Sequence, residues 1–119
     1  NTWPLMDGGL VPRGYLILQP WWRNMLENVA AIQFNHRMLA YLVFLFALWV
    51  WGLARKQKAV TTSRASSWLL AGIGVQIVLG IVALLKLIEL PYALAHQAGA
   101  IIVFLLAVWT MRCPRVRTY

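Results

Sequence analysis

Three long apolar runs in a chain of 119 residues restrict this sequence to very few folds, because a helix needs about 20 such residues to cross the hydrocarbon core of a bilayer. The runs predict helical spans at about 29–54, 68–88 and 91–112, and residues 38–54 carry no charge at all. The hydrophobic fraction of 61% and mean hydropathy of +0.67 exceed the roughly half-apolar composition of soluble domains, so lipid or a large partner must cover the excess. The predicted fold is an all-α integral membrane protein with three transmembrane helices. Three spans close a bundle poorly and four are the commoner solution, so the expectation is that these are the last three of an antiparallel four-helix bundle.

The first 28 residues read as an outer-face loop. Asp7, Gly8, Gly9, Pro12, Gly14 and Pro20 are turn formers, while Tyr15, Trp21 and Trp22 suit a headgroup boundary. A short interfacial helix is expected over residues 20–26, with Pro20 in its first turn. The chain opens with neither a basic n-region nor a small-residue cleavage site, and without an initiator Met, so Asn1 is expected to mark a cut inside a longer protein. Residues 29–119 form the expected transmembrane domain. Within it, residues 55–67 read as a polar, basic loop, Ser66 or Ser67 is the expected cap of the second helix, and Pro91 suits the first turn of the third.

A net charge of +8 raises nucleic acid as a partner, but the positions of the cations argue against it. Arg55, Lys56, Lys58 and Arg64 follow the first run, and Arg112, Arg115 and Arg117 follow the third. By the positive-inside rule these segments are cytoplasmic, or face the matrix in a mitochondrion, which leaves the N-terminal stretch and the 86–91 turn outside. Cys113 is the only cysteine and lies on the reducing side, so neither an intrachain disulfide nor a CxxC motif is available.

Two histidines lie within the spans. His36 falls roughly eight residues into the first helix and His96 roughly five into the third; at about 1.5 Å per residue, both belong at similar depth in the outer half of the membrane. Such residues are costly and usually face a bundle interior. Each histidine satisfies an interhelical hydrogen bond or snorkels, or the two share a ligand. The spans hold no Asp or Glu, which disfavours zinc or di-iron, whereas haem supplies four nitrogens and asks only for axial ligands.

Small residues stand near both histidines: Ala40 one turn beyond His36, and Gly99 and Ala100 one turn beyond His96. Gly72, Gln76 and Gly80 form one small–polar–small face of the middle helix, read as ordinary close packing ahead of cofactor contact. Gln33, His36 and Arg37 make a polar stripe, in which Arg37 either pairs with a haem propionate or snorkels. Glu27 reads as an exposed carboxylate at a helix N-terminus. Phe44, Phe46, Trp49 and Trp51 read as lipid-facing or interfacial.

The runs Asn1-Thr2-Trp3-Pro4-Leu5-Met6-Asp7-Gly8, Glu27-Asn28, Gln33-Phe34-Asn35-His36-Arg37 and His96-Gln97 occur in the order seen in the haem A synthase family. Over essentially its whole length the chain resembles the C-terminal half of that family, in the form shared by alphaproteobacteria and mitochondria. The family's plan of two four-helix halves, each with a histidine pair on its second and fourth helices, makes these spans the last three of eight. The resemblance implies that His36 and His96 are axial ligands of the iron of a haem b. It also implies the activity: oxidation of the haem o methyl group to the formyl group of haem a for terminal oxidases.

The substrate haem o is implied to bind the N-terminal half, so this part alone is expected to be inactive. The partners implied are the lipid bilayer, an electron donor of unidentified kind, and haem O synthase or a second copy of the chain, but no nucleic acid. The location implied is the bacterial inner (plasma) membrane, or the mitochondrial inner membrane. A membrane electron-transfer cytochrome b without synthase activity is the alternative, and a haem-free scaffold subunit a further one. Asn35 and Gln97, which flank the histidines, are candidates to orient the imidazoles.

Overall fold

The computed structural model describes residues 2–113, and its regular structure among them is entirely helical: α1 (Arg23–Leu26), α2 (Val29–Lys56), α3 (Val60–Leu85) and α4 (Leu90–Arg112). The predicted signature residue Asn1 and the cations Arg115 and Arg117 lie outside the described residues. The last three helices have 28, 26 and 23 residues, or roughly 42, 39 and 34 Å at 1.5 Å per residue, so each exceeds a hydrocarbon core of about 30 Å. Leu42, Phe46, Val75, Ile101, Phe104 and Leu105 are all exposed, which water would penalise and lipid would not. The chain forms two compact units, Asn1–Leu42 and Val43–Tyr119.

In the first unit, Met6 and Gly9 exchange backbone hydrogen bonds at 2.8 and 2.9 Å, with Asp7 at φ 51° and Gly8 at φ 78° between them. An Asp-Gly pair suits such a turn, because both central residues need positive φ. Further along, Asn24 is fully buried and folds the loop around itself. Its Oδ1 accepts from the Leu18 N–H at 3.0 Å, while its Nδ2 donates to the carbonyls of Leu18 and Trp21 at 2.8 Å each. Asn28 joins this network by donating to Asn24 Oδ1 at 2.9 Å and to the Gly14 carbonyl at 2.7 Å. With its own Oδ1 it accepts from the Ala30 and Ala31 N–H groups at 3.1 and 3.2 Å, so Asn28 caps α2. Pro20 does not enter the short helix: its carbonyl accepts from Arg23 N–H at 3.0 Å in the turn that precedes α1.

In the second unit, α3 starts at Val60, well before the predicted cap at Ser66 or Ser67, and neither serine caps it. Both hydroxyls donate back to the Ser63 carbonyl, at 3.1 and 2.8 Å, as mid-helix serines do. Ala65 and Ser66 are buried, so packing carries the helix through a segment whose polarity hides it from hydropathy. The predicted 55–67 loop shrinks to residues 57–59, and Arg55, Lys56 and Arg64 become helical. Helix α4 begins at Leu90 with Pro91 in its first turn, where a missing N–H costs no hydrogen bond.

Trp51 lies near the basic end of α2. It is only partly exposed, its Nε1–H donates to Ser67 Oγ at 2.9 Å, and the Arg55 guanidinium lies 5.3 Å from its ring centroid. The indole ties α2 to α3. Phe46 and Trp49 are exposed, as expected.

Candidate functional site

His36 and Arg37 lie on the α2 segment of the first unit, with His36 exposed and Arg37 partly covered. Arg37 Nη2 donates to the Thr2 carbonyl at 2.7 Å and Nη1 to the Pro4 carbonyl at 3.4 Å, so the guanidinium holds the N-terminal loop against the helix. Gln33 and Arg37 line a cavity of about 280 Å³ together with Thr2, Met6, Asp7 and Val29. His36 is not among the lining residues. Two of the three residues of the stripe thus line the cavity: Gln33 and Arg37, four apart, lie about 40° from each other around the helix, and His36 lies about 60° to the other side of Gln33.

Asn35 Oδ1 accepts from the Tyr15 hydroxyl at 3.0 Å, and the Tyr15 ring meets Phe34 edge-on at 5.0 Å. Tyr15 thus packs on the helix, and the Asn35 carbonyl oxygen serves the loop. Glu27 closes α1 instead of opening α2. Arg23 Nη2 reaches Glu27 Oε2 at 2.5 Å, and Arg23 Nε reaches its two oxygens at 3.1 and 3.0 Å. The hydrogen bond to the guanidinium holds the Glu27 carboxyl below the usual range and raises Arg23 in turn.

His96 lies on α4 in the second unit, half-buried, with its ring against Gly80 of α3. A Cβ at Gly80 would stand 2.9 Å from His96 Cε1 and 3.5 Å from each ring nitrogen, so a residue without a side chain is what lets the imidazole occupy this position. Gln76, one turn before Gly80, donates from Nε2 to the His96 carbonyl at 2.6 Å, and its Oε1 is packed against Gly99. That oxygen is buried and has no hydrogen-bond partner among the described residues. Gly72 continues the same face toward Val103 and Leu106. The small–polar–small face therefore packs on α4 throughout, as the packing reading of it expects, and in doing so it cradles His96. Gln97 is exposed. The side chain that hydrogen-bonds to the His96 backbone comes from the neighbouring helix.

Among the described residues, no three or more of His, Cys, Asp and Glu cluster to hold a metal ion. The Asn24–Asn28 pair was not singled out by the sequence reading, although Asn immediately before an apolar run, with a second Asn four residues earlier, is a cap-and-brace signal.

Residues 1–108 match the family model COX15-CtaA, cytochrome oxidase assembly protein. Heme A synthase from Parvibaculum lavamentivorans is 42% identical over 109 residues, which are 92% of this chain and 31% of that protein. The heme A synthases of Nitrosomonas eutropha and Bradyrhizobium diazoefficiens are 41% and 47% identical, over 94% and 91% of this chain and 32% and 31% of their own lengths. The chain thus spans about a third of the length of the curated relatives it matches. No solved structure matches it. With nine-tenths of its length matched, this all-helical chain with three membrane-length helices belongs to the COX15-CtaA family of cytochrome oxidase assembly proteins.

Proposed function

We propose that the protein to which this chain belongs is a haem A synthase, which oxidises the methyl group of haem o to the formyl group of haem a, and that His36 and His96 hold a haem b within it. The observation that carries the reading is identity of 41–47% to heme A synthases across at least nine-tenths of the chain. Donor chemistry agrees with it: the three apolar helices carry two imidazoles and no carboxylate, which fits a macrocycle that brings its own four nitrogens and fits no bare metal ion. The glycine cradle at Gly80 agrees as well, since an imidazole that would hold haem iron needs to be kept in one orientation.

Within this scheme each residue has a definite task. His36 and His96 supply imidazole nitrogens. Gly80 leaves room for the His96 ring, and Gln76 fixes the carbonyl of the same residue. Arg37 spends one N–H on each of two loop carbonyls, and its remaining N–H groups are available to a propionate, for which the guanidinium fork is well shaped. A bound haem supplies one-electron redox chemistry. The methyl oxidation and the substrate haem o are assigned to the N-terminal half of the haem A synthase plan. The basic helix ends face the cytoplasm of a bacterial inner membrane or the mitochondrial matrix, with an electron donor, haem O synthase or a second copy as partners in that membrane.

The test is a reduced-minus-oxidised spectrum of the full-length protein beside His36→Ala and His96→Ala, with haem a assayed in the expressing cells. Loss of b-type bands in both variants, together with haem a formed only by the wild type, is the expected result. Unchanged bands in both variants remove the ligand assignment, and bands without any haem a mark an electron-transfer cytochrome instead.

A further inference from the structure

We propose that the cleft between the last turn of α2 and the first turn of α3 binds the phosphate of an anionic phospholipid headgroup. This inference is independent of the haem reading. The cleft has a volume of about 250 Å³ and is lined by Ala54, Arg55, Lys58, Val60, Ser63 and Arg64. Three of those six residues are cationic and a fourth carries a hydroxyl, while the surface they give to the cleft wall is mostly apolar, as their aliphatic stems are.

Among the described residues, no side-chain carboxylate lies near the cations. The second unit contains one acidic side chain, Glu89, which caps α4 beyond the far end of α3, roughly 39 Å away along a 26-residue helix. Two more cations share the end where the cleft lies. Lys56 closes α2, and Arg112 closes α4, whose following residue, Cys113, places its sulfur 3.9 Å from the Thr61 carbonyl. A group of positive charges with no carboxylate beside it among the described residues attracts an anion.

The cleft is also partly pre-formed. The Arg55 guanidinium lies 5.3 Å from the centroid of Trp51, and that indole is fixed by its hydrogen bond to Ser67, so less side-chain freedom is lost when an anion binds. A guanidinium fork matches two phosphate oxygens, and the Lys58 ammonium adds a point charge.

The surroundings select a lipid over a soluble phosphate. Val60, in the wall of the cleft, is 71% exposed, and Leu53 and Trp49 lie exposed further into the membrane along α2. Cations at the boundary with bare apolar surface beneath them match a headgroup with its acyl chains, and basic pockets between helix ends are where anionic headgroups bind.

The full-length protein in mild detergent is titrated with phosphatidylglycerol, with phosphatidylcholine of equal chain length and with inorganic phosphate, binding being read by native mass spectrometry and by the melting midpoint. The expected preference for phosphatidylglycerol is on the order of tenfold or more, and it falls to about twofold or less in Arg55→Gln/Lys58→Gln/Arg64→Gln. It persists in Lys56→Gln/Arg112→Gln, which removes two charges from the same end but outside the cleft, and millimolar inorganic phosphate does not displace the lipid. Three results overturn the proposal: a preference intact in the triple variant, an equal loss per charge in both variants, or displacement by inorganic phosphate at equal concentration. If the triple variant lacks the wild-type midpoint in phosphatidylcholine, the single Arg64→Gln is read in its place, with a loss of about fivefold expected and no loss counting against the site.

Discussion

The side-chain amide of Gln76 on α3 donates to the backbone carbonyl of His96 on α4 at 2.6 Å. A bond to a carbonyl constrains the helix rather than the imidazole, so it fixes where along α4, and at what rotation, the histidine emerges. Gly80 and Gly99 on either side let the two backbones approach closely enough for that bond to form.

Gln76→Leu therefore trades one hydrogen bond for removal of a buried, unsatisfied oxygen. Since a net hydrogen bond contributes about 0.5–1.5 kcal/mol, the stability of the full-length protein should change by no more than about 1 kcal/mol. Gln76→Glu behaves differently, because a carboxylate there would confront the His96 carbonyl within the apolar spans. A loss of about 2 kcal/mol or more is expected. Unfolding in mixed detergent measures both variants, and equal effects would contradict this placement of the amide.

A methyl group at position 80 would stand 2.9 Å from His96 Cε1, and the ring is the part able to yield. Gly80→Ala should cost about 1 kcal/mol of stability, at the lower end of overpacking effects, yet disturb the histidine more than the fold. In the full-length protein the expected signature is a shifted or diminished b-type band with a melting midpoint lowered by only a few degrees, about 2–4 °C. An unaltered spectrum would separate His96 from the haem.

Asn28 both caps α2 and braces Asn24. Asn28→Ala removes the cap, worth about 0.5–2 kcal/mol, and also leaves Asn24 Oδ1 with one donor fewer. Asn28→Asp keeps the cap and loses the two donated bonds, so it should fall between wild type and Ala. Hydrogen exchange at the Ala30 and Ala31 amides reports the difference: it should quicken in Ala and remain slow in Asp.

The Glu27 carboxyl titrates below its ordinary value near 4.5 because Arg23 hydrogen-bonds to it. A depressed pKa means that the pair's contribution is present above the ordinary value and disappears as pH falls through the lower, folded one. Both side chains are exposed, so the contribution is small and screened by salt. In Glu27→Gln, the dependence of stability on pH below about 4.5 should flatten slightly, and 1 M salt should have the same effect on the wild type, with a Debye length near 3 Å.

Apolar runs and turn chemistry were enough to determine three membrane-length helices, the Asp7-Gly8 turn and the place of Pro91, because lipid solvation and backbone sterics act on local sequence. Local sequence also marked His36 and His96, since an ionisable side chain is conspicuous in an apolar span. The beginning of α3 was beyond it, because hydropathy reads transfer to lipid, while the polar first turns of α3 are held by packing of Ala65 and Ser66, with the Ser66 and Ser67 hydroxyls satisfied by the Ser63 carbonyl.

Partners distant in sequence were decided by tertiary structure alone. Trp51 meets Ser67, Arg37 meets the carbonyls of Thr2 and Pro4, and the Gly72–Gln76–Gly80 face turns toward α4. Periodicity shows that such residues share a face of a helix; only packing shows what that face meets. For His96 the neighbour is a glycine and a glutamine on α3, and the space and the hydrogen bond they provide exist only once the two helices are in contact.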